Sequence, residues 1–74
     1  MANWYVYITD KKGKFYVGVT TDVENRMRQH GVKGPLYLEG PMSKIEALKR
    51  ERNLKGWGRE KKMVLIREFS SQQK

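Results

Sequence analysis

Several features that stabilise small domains are missing from this sequence. It contains no cysteine, which excludes a disulfide framework and a Cys-ligated zinc site. Its single histidine argues against a structural zinc, because tetrahedral zinc sites need several nitrogen or sulfur ligands. The longest apolar runs are short, as in "MVLI", whereas a membrane span needs about 20 apolar residues, and no basic leader precedes an apolar segment. We therefore expect a soluble, cytoplasmic protein without a membrane partner.

Acidic residues are also scarce. Asp and Glu number 8 against 16 Lys and Arg, which leaves a formal net charge of +8. An excess of this size favours a polyanionic partner, with DNA or RNA first and an anionic membrane surface second. The alternative interpretation is that the charge only keeps a small protein soluble.

The 74 residues are enough for one domain. Aromatic and β-branched residues predict strands over 4–9 and 15–19, separated by the turn-forming "DKKG", and "GPLYLEG" predicts a short third strand. Two capping boxes, Thr21 with Glu24 and Ser43 with Glu46, mark helix starts. The predicted helices run over 22–30, 44–55 and 59–69, and Gly31 stops the first of them.

This order of elements, ββα-β-αα, predicts an α+β fold. We expect a small three-stranded, mostly antiparallel sheet flanked by about three helices. The predicted domain covers residues 1–69, and the polar residues 70–74 are predicted to form a disordered tail.

Two ionisable side chains interrupt the apolar face of the first predicted helix. Its positions i, i+3, i+4 and i+7 are Val23, Arg26, Met27 and His30. Since Arg26 and His30 are i,i+4 neighbours, one ligand could contact both. The structural alternative is that Arg26 lays its aliphatic stem over the sheet and His30 interacts with the helix C-terminus.

The second predicted helix carries an acidic residue within an apolar arc. At about 100° per residue, Glu51 falls near the middle of an arc formed by Ile45, Ala47, Leu48 and Leu54. A buried carboxylate without a partner is strongly disfavoured. Glu51 therefore needs an ion pair with Arg26, a metal ion, or access to water.

Tyrosine and glycine stand out on the first two strands. Tyr5 and Tyr7 share a face of the first strand, and Tyr16 and Gly18 share a face of the second. Strand tyrosines usually serve packing, but a glycine inside a strand often marks the close approach of backbone or ligand.

These residues lie in segments that resemble the motifs of the GIY-YIG nuclease superfamily. The segments are "YVY" (5–7), "YVG" (16–18), "DVENRMRQH" (22–30) and "EALKRERNLKGW" (46–57). The likeness is to the short, stand-alone bacterial and phage members, and it covers roughly residues 4–67.

The resemblance implies an endonuclease that hydrolyses phosphodiester bonds with one divalent ion, Mg²⁺ or Mn²⁺. Carried over by position, Tyr7 and Tyr16 are the tyrosines of the two name motifs. Arg26 is the helix arginine, His30 is its companion, and Glu51 is the metal ligand. Because tyrosine has a reference pKa of about 10, Tyr7 or Tyr16 can act as a base only if nearby cations lower its pKa.

Two departures from the family pattern keep a second function open. The loop "GVK" after the first helix is short, and no late asparagine follows Trp57. Both favour a non-catalytic nucleic-acid-binding module that retains the fold.

The partner predicted in both cases is nucleic acid, with DNA first. The cationic residues predicted to contact it are Arg28, Lys33, Lys49, Arg52, Lys55 and Arg59. Nothing in the sequence resembles an attached DNA-recognition domain, so we expect low intrinsic sequence specificity. A homodimer, or a protein partner that supplies specificity, is the expected assembly.

Overall fold

The computed structural model describes residues 3–32 and 34–72. The strands are β1 (Trp4–Lys11), β2 (Lys14–Thr20) and β3 (Tyr37–Met42), and the helices are α1 (Val23–His30), α2 (Lys44–Lys55) and α3 (Arg59–Gln72). Both strand pairings are antiparallel, and the sheet order is β2-β1-β3. The predicted α+β fold and its element order are confirmed.

The first two strands form a hairpin closed by a tight turn. Lys12 and Gly13 both have positive φ, at 54° and 80°, as a two-residue turn of the favoured hand requires. The backbone N–H of Gly13 donates to the Asp10 carboxylate at 3.0 Å. This turn fixes the register that places Tyr7 opposite Gly18.

The two faces of the sheet have different roles. Val6, Ile8 and Val17 lie on one face and form the core with Ala47 and Leu54 of α2. These five side chains are at most 3% exposed. Since burial of a large apolar side chain stabilises by about 1.5–3 kcal/mol, this face holds the fold together.

The opposite face carries the side chains that alternate with the core residues along β1 and β2. Among them are Tyr7, Tyr16 and Gly18. Helix α1 lies over this face: its Met27 is 3% exposed, and His30 contacts both tyrosine rings. The tyrosines and α1 therefore face each other, apart from the main core.

Several predicted boundaries differ from the structure, since β1 and β2 are longer than the predicted strands 4–9 and 15–19, and three further differences are as follows. Helix α1 is capped by Asp22, whose carboxylate accepts from the Asn25 N–H at 3.1 Å, so the predicted Thr21 cap is wrong. The Thr20 hydroxyl accepts from the Asp22 N–H at 3.0 Å and fixes this start one residue later. Strand β3 continues through Pro41, which lacks an N–H but is tolerated on an edge strand. Helix α3 continues to Gln72, so residues 70–72 of the predicted tail are helical.

The start and end of α2 agree with the prediction, but its apolar arc does not. Ser43 and Glu46 form the predicted capping box, and the helix ends at Lys55. Of the predicted arc, Ile45 and Leu48 are 68% and 41% exposed. The buried face of α2 is centred on Ala47 and Leu54, with the Arg50–Glu39 ion pair beside it.

No helix in the described part of the chain has the length and apolar character needed to cross a membrane.

Candidate active site

Three aromatic side chains meet where α1 lies over β1 and β2. The Tyr7 hydroxyl and the Nε2 of His30 are 3.1 Å apart and share a hydrogen bond. The ring centroids of Tyr16 and His30 are 5.1 Å apart, and those of Tyr7 and Tyr16 are 6.3 Å apart. Tyr7 is 1% exposed, whereas Tyr16 is 42% exposed. The cluster therefore joins a buried hydroxyl to an accessible ring through one imidazole.

Gly18 provides the space in which the Tyr7 hydroxyl lies. A Cβ built on Gly18 would be 2.5 Å from the Tyr7 hydroxyl oxygen and 2.7 Å from its Cζ. The Tyr7 ring thus crosses the backbone of β2, the edge strand. The group that approaches Gly18 is thus the Tyr7 side chain, whereas the sequence suggested backbone or ligand.

We expect Gly18→Ala to displace the Tyr7 ring and break its hydrogen bond to His30. The added methyl cannot fit, and overpacking of this kind typically costs about 1–3 kcal/mol of unfolding free energy. Thermal denaturation would measure the loss, and NMR of the His30 imidazole would report the broken bond. Gly34→Ala is the control, because a Cβ at Gly34 has no atom of the described residues within 4 Å, apart from its chain neighbours. Unchanged imidazole signals in Gly18→Ala would contradict this account.

Arg26 and Glu51 lie close enough to influence the titration of Tyr7. Burial is the main cause that raises the pKa of Tyr7; Tyr16 and Glu51 raise it further, and Arg26 lowers it. The condition stated for Tyr7 as a base, a pKa lowered by nearby cations, is therefore not met, because burial outweighs the lowering by Arg26. The Arg26 guanidinium on α1 and the Glu51 carboxylate on α2 nevertheless both influence the pKa of the Tyr7 hydroxyl.

Arg26 and Glu51 do not have the buried positions that the apolar faces of the two predicted helices suggested. Arg26 is exposed, and Met27 is the buried residue of α1. The carboxylate of Glu51 lies 3.3 Å from the Lys55 ammonium, and the Glu51 side chain is 21% exposed. Among the residues that the structure describes, no ion pair joins Arg26 to Glu51. The spacing i,i+4 of Glu51 and Lys55 was the sequence signal for the pair that forms.

The surroundings of Glu51 decide which metal could bind there. No group of three or more His, Cys, Asp or Glu residues within 3–32 and 34–72 could hold an ion. One carboxylate with access to water is compatible with Mg²⁺ or Mn²⁺, since Mg²⁺ keeps several waters and takes oxygen ligands from phosphate. The same site is unsuited to zinc, which takes three or four protein ligands.

The predicted nucleic-acid contacts that the structure describes are all exposed, and three of them have partners of their own. Arg28, Lys49, Arg52, Lys55 and Arg59 are exposed, and Lys33 lies outside the described residues. Lys55 pairs with Glu51. Lys49 lines a groove together with Glu39 and Glu46. Arg59 lies with its guanidinium carbon 4.4 Å from the centroid of the Phe15 ring.

A polar network that sequence reasoning missed orients α2. The Tyr37 hydroxyl donates to the Glu39 carboxylate at 2.5 Å, and the Nε of Arg50 donates to the same oxygen at 3.1 Å. Arg50 also lies 5.3 Å from the Trp57 ring centroid. Because Arg50 and Glu51 are neighbours about 100° apart around the axis of α2, this anchor on β3 also constrains the direction in which Glu51 projects. The spacing of Tyr37 and Glu39 on one strand face was the available signal.

The network also predicts how stability depends on pH. Burial, followed by the hydrogen bond to Glu39, raises the pKa of Tyr37 above its usual value. A raised pKa in the folded state gives stability that is present below about pH 10 and is lost as pH rises through the folded pKa. We expect the melting temperature to fall above about pH 10, and Tyr37→Phe to flatten this fall. The lost hydrogen bond should cost about 1 kcal/mol at neutral pH. Equal alkaline slopes in both proteins would contradict the assignment.

Comparisons with known proteins relate the chain to one family of domains. A family model described as the GIY-YIG catalytic domain matches residues 3–35, the segment that contains Tyr7, Tyr16, Arg26 and His30. No solved structure matches the chain significantly.

Several curated proteins match almost the whole chain. A UPF0213 protein of Staphylococcus haemolyticus is 37% identical over 81 residues, covering 92% of this chain and 99% of the relative. UPF0213 proteins of Haloquadratum walsbyi and Halalkalibacterium halodurans are 38% and 39% identical over 77 residues; each alignment covers 86% of this chain, with 86% and 82% of the relative. These alignments extend well beyond the segment of the family model. The chain therefore belongs to the UPF0213 family of short proteins that carry a GIY-YIG domain.

Proposed function

We propose that this protein is a metal-dependent endonuclease that hydrolyses phosphodiester bonds in DNA with low intrinsic sequence specificity. The GIY-YIG domain is a nuclease-type domain whose members generally use divalent metal ions. The observation that carries the proposal is the hydrogen bond of 3.1 Å between Tyr7 and His30, with Arg26 and Glu51 acting on the same hydroxyl. A phenol, an imidazole, a cation and a carboxylate are groups that support phosphodiester hydrolysis by proton transfer, charge stabilisation and metal binding.

The raised pKa of Tyr7 determines how this hydroxyl can act as a base. A phenol with a reference pKa of about 10 is protonated at neutral pH, and burial raises the pKa of Tyr7 further, so Tyr7 can accept a proton from water only if it passes its own proton on. The Nε2 of His30 lies 3.1 Å away and accepts this proton in the tautomer that is protonated on Nδ1. We assign Tyr7 to the proton transfer from the attacking water and His30 to the removal of the Tyr7 proton.

The charged residues complete the site. The exposed Arg26 guanidinium offsets charge that develops on the phosphate oxygens in the transition state. Glu51 is the residue that would hold Mg²⁺ or Mn²⁺. When bound, such an ion supplies Lewis-acid polarisation of the phosphate. Tyr16 stands at the accessible end of the cluster, where the substrate enters.

The proposal is tested by incubating the purified chain with supercoiled, single-stranded and branched DNA in Mg²⁺, Mn²⁺ or EDTA. We expect nicking that requires the ion and stops in EDTA. DNA binding without cleavage in the presence of either metal ion would overturn the proposal that the protein is an enzyme.

The alternative is a non-catalytic DNA-binding module. The observation in its favour is the Lys55 ammonium, 3.3 Å from the Glu51 carboxylate that a metal ion would need. On this alternative, affinity falls with salt at a slope of about −0.9 per phosphate neutralised, and no condition yields cleavage.

A further inference from the structure

The helix α3 leaves an apolar depression beside it on the core side of the sheet. Two adjoining grooves, of about 470 and 420 Å³, share Leu36, Ile66 and Ser70 in their linings. Phe15 and Met63 also line the larger one. We call this continuous feature the α3 groove. Its apolar lining is not required by the chemistry proposed above.

Some apolar side chains of α3 remain exposed to solvent. Met63 and Val64 are 42% and 49% exposed, although α3 contains the most apolar run of the chain. Met63, Ile66 and Ser70 follow one another at i, i+3 and i+7 along one flank of the helix. Because the Ser70 side chain is short, the surface next to Ile66 is depressed. A side chain of a bound segment can fill this depression.

The charge in the lining of the α3 groove is basic, whereas Glu68 lines an adjacent groove beyond Leu38 and Phe69. Arg67 is the charged residue among the described residues that line it. At its Phe15 end, the guanidinium carbon of Arg59 lies 4.4 Å from the ring centroid. The acidic residue of the first turn of α3, Glu60, is not part of the lining. A ligand that complements this groove is therefore apolar on the side that faces the lining and carries acidic groups next to Arg59 and Arg67.

This charge pattern argues against a second copy of the chain. Each copy carries +8, so a homodimer on this surface would bring like charges together. It also argues against DNA as the occupant. Phosphates could pair with the two arginines, but the rest of the lining is apolar and offers them no partner. Phe15 points to the opposite face from its neighbour Tyr16, so the groove is separate from the candidate active site.

We infer that the α3 groove binds an acidic, amphipathic helical segment of another protein. The segment places apolar residues at i, i+3 or i+4, and i+7 in the groove, the usual arrangement of a helix in a groove. Its carboxylates face Arg59 and Arg67. Because Tyr16 and His30 lie on the other face, such a partner and DNA can be bound together.

The test uses the full chain and a synthetic amphipathic peptide of about 18 residues, with Leu and Phe on one face and Glu on the other. A peptide with Lys in place of Glu is the charge control. We expect binding of the acidic peptide, and NMR shifts confined to Phe15, Leu36 and the Met63 flank of α3. Absence of binding, or equal binding of the Lys peptide, would overturn the proposal.

Two neighbouring residues provide matched variants. Met63→Glu and Val64→Glu change the charge equally, and both wild-type side chains are exposed, but only Met63 lines the α3 groove. Met63→Glu should weaken peptide binding about tenfold or more, and Val64→Glu about twofold or less. Equal losses would indicate general electrostatic attraction. Competition between peptide and duplex DNA, or dimers that Met63→Glu dissociates, would assign the surface to DNA or to a second copy instead.

Discussion

Glu51→Gln should abolish metal-dependent cleavage of DNA while leaving the fold intact. The substitution removes the single carboxylate proposed to hold the ion and keeps the shape of the side chain. Loss of one group that stabilises transition-state charge typically lowers the rate by about 10²–10³, and loss of the ion itself should exceed this. DNA affinity should stay similar or rise, because a negative charge that repels phosphate is gone. Single-turnover cleavage and a binding titration measure the two effects separately.

The pairing of Glu51 with Lys55 provides the control. An i,i+4 helix pair contributes only about 0.3–0.5 kcal/mol, so the melting temperature of Glu51→Gln should barely change. Lys55→Ala breaks the same pair but keeps the carboxylate, and it should retain cleavage. Cleavage that survives Glu51→Gln would show that another residue holds the metal. If Lys55→Ala lost as much cleavage activity as Glu51→Gln, the activity would depend on the Glu51–Lys55 ion pair rather than on a metal ion held by Glu51.

Arg26→Ala is expected to have the second largest effect. Because Arg26 is exposed, its removal should leave stability almost unchanged. It should lower kcat by about 10²–10³, the range for a group that acts mainly on transition-state charge. Arg26→Lys keeps the charge but loses the planar guanidinium, so its rate should lie between those of Arg26→Ala and wild type.

Arg28→Ala is the matched control for Arg26. It removes another exposed arginine from the same helix, and it should act mainly on KM through weaker attraction of DNA. Equal effects of the two alanine variants on kcat would contradict a specific role for Arg26. A large drop in melting temperature in Arg26→Ala would favour the structural alternative, in which its aliphatic stem covers the sheet.

The elements of the fold were predictable because local signals agree with one another. Alternating aromatic and β-branched residues, the turn at Gly13 and the Ser43–Glu46 capping box each act within a few residues. Errors arose where two local signals compete. Thr21 and Asp22 are both good N-caps, and the choice falls to Asp22 because the Thr20 hydroxyl holds its backbone.

Contacts between distant segments were not predictable from the sequence. Ile45 and Leu48 fit an apolar arc, but the sheet contacts another side of α2, so both stay exposed. The anchor that rotates α2 is Arg50 on Glu39, residues 11 positions apart on different elements. For the site, the likeness to a family named the residues, whereas the placement of the Tyr7 hydroxyl over Gly18 required the structure.

The division of the site along the chain has a consequence during protein synthesis. Tyr7, Tyr16, Arg26 and His30 all precede β3, and Glu51 arrives on a helix that docks only after Glu39 is available. Because amino-terminal segments fold first on the ribosome, a nascent chain presents its cations and aromatic rings before it has the proposed metal ligand. A polypeptide that ends before α2 would lack the proposed metal ligand and also Ala47 and Leu54 of the core. Under the proposed function, hydrolytic capacity is therefore expected only after α2 has been synthesised.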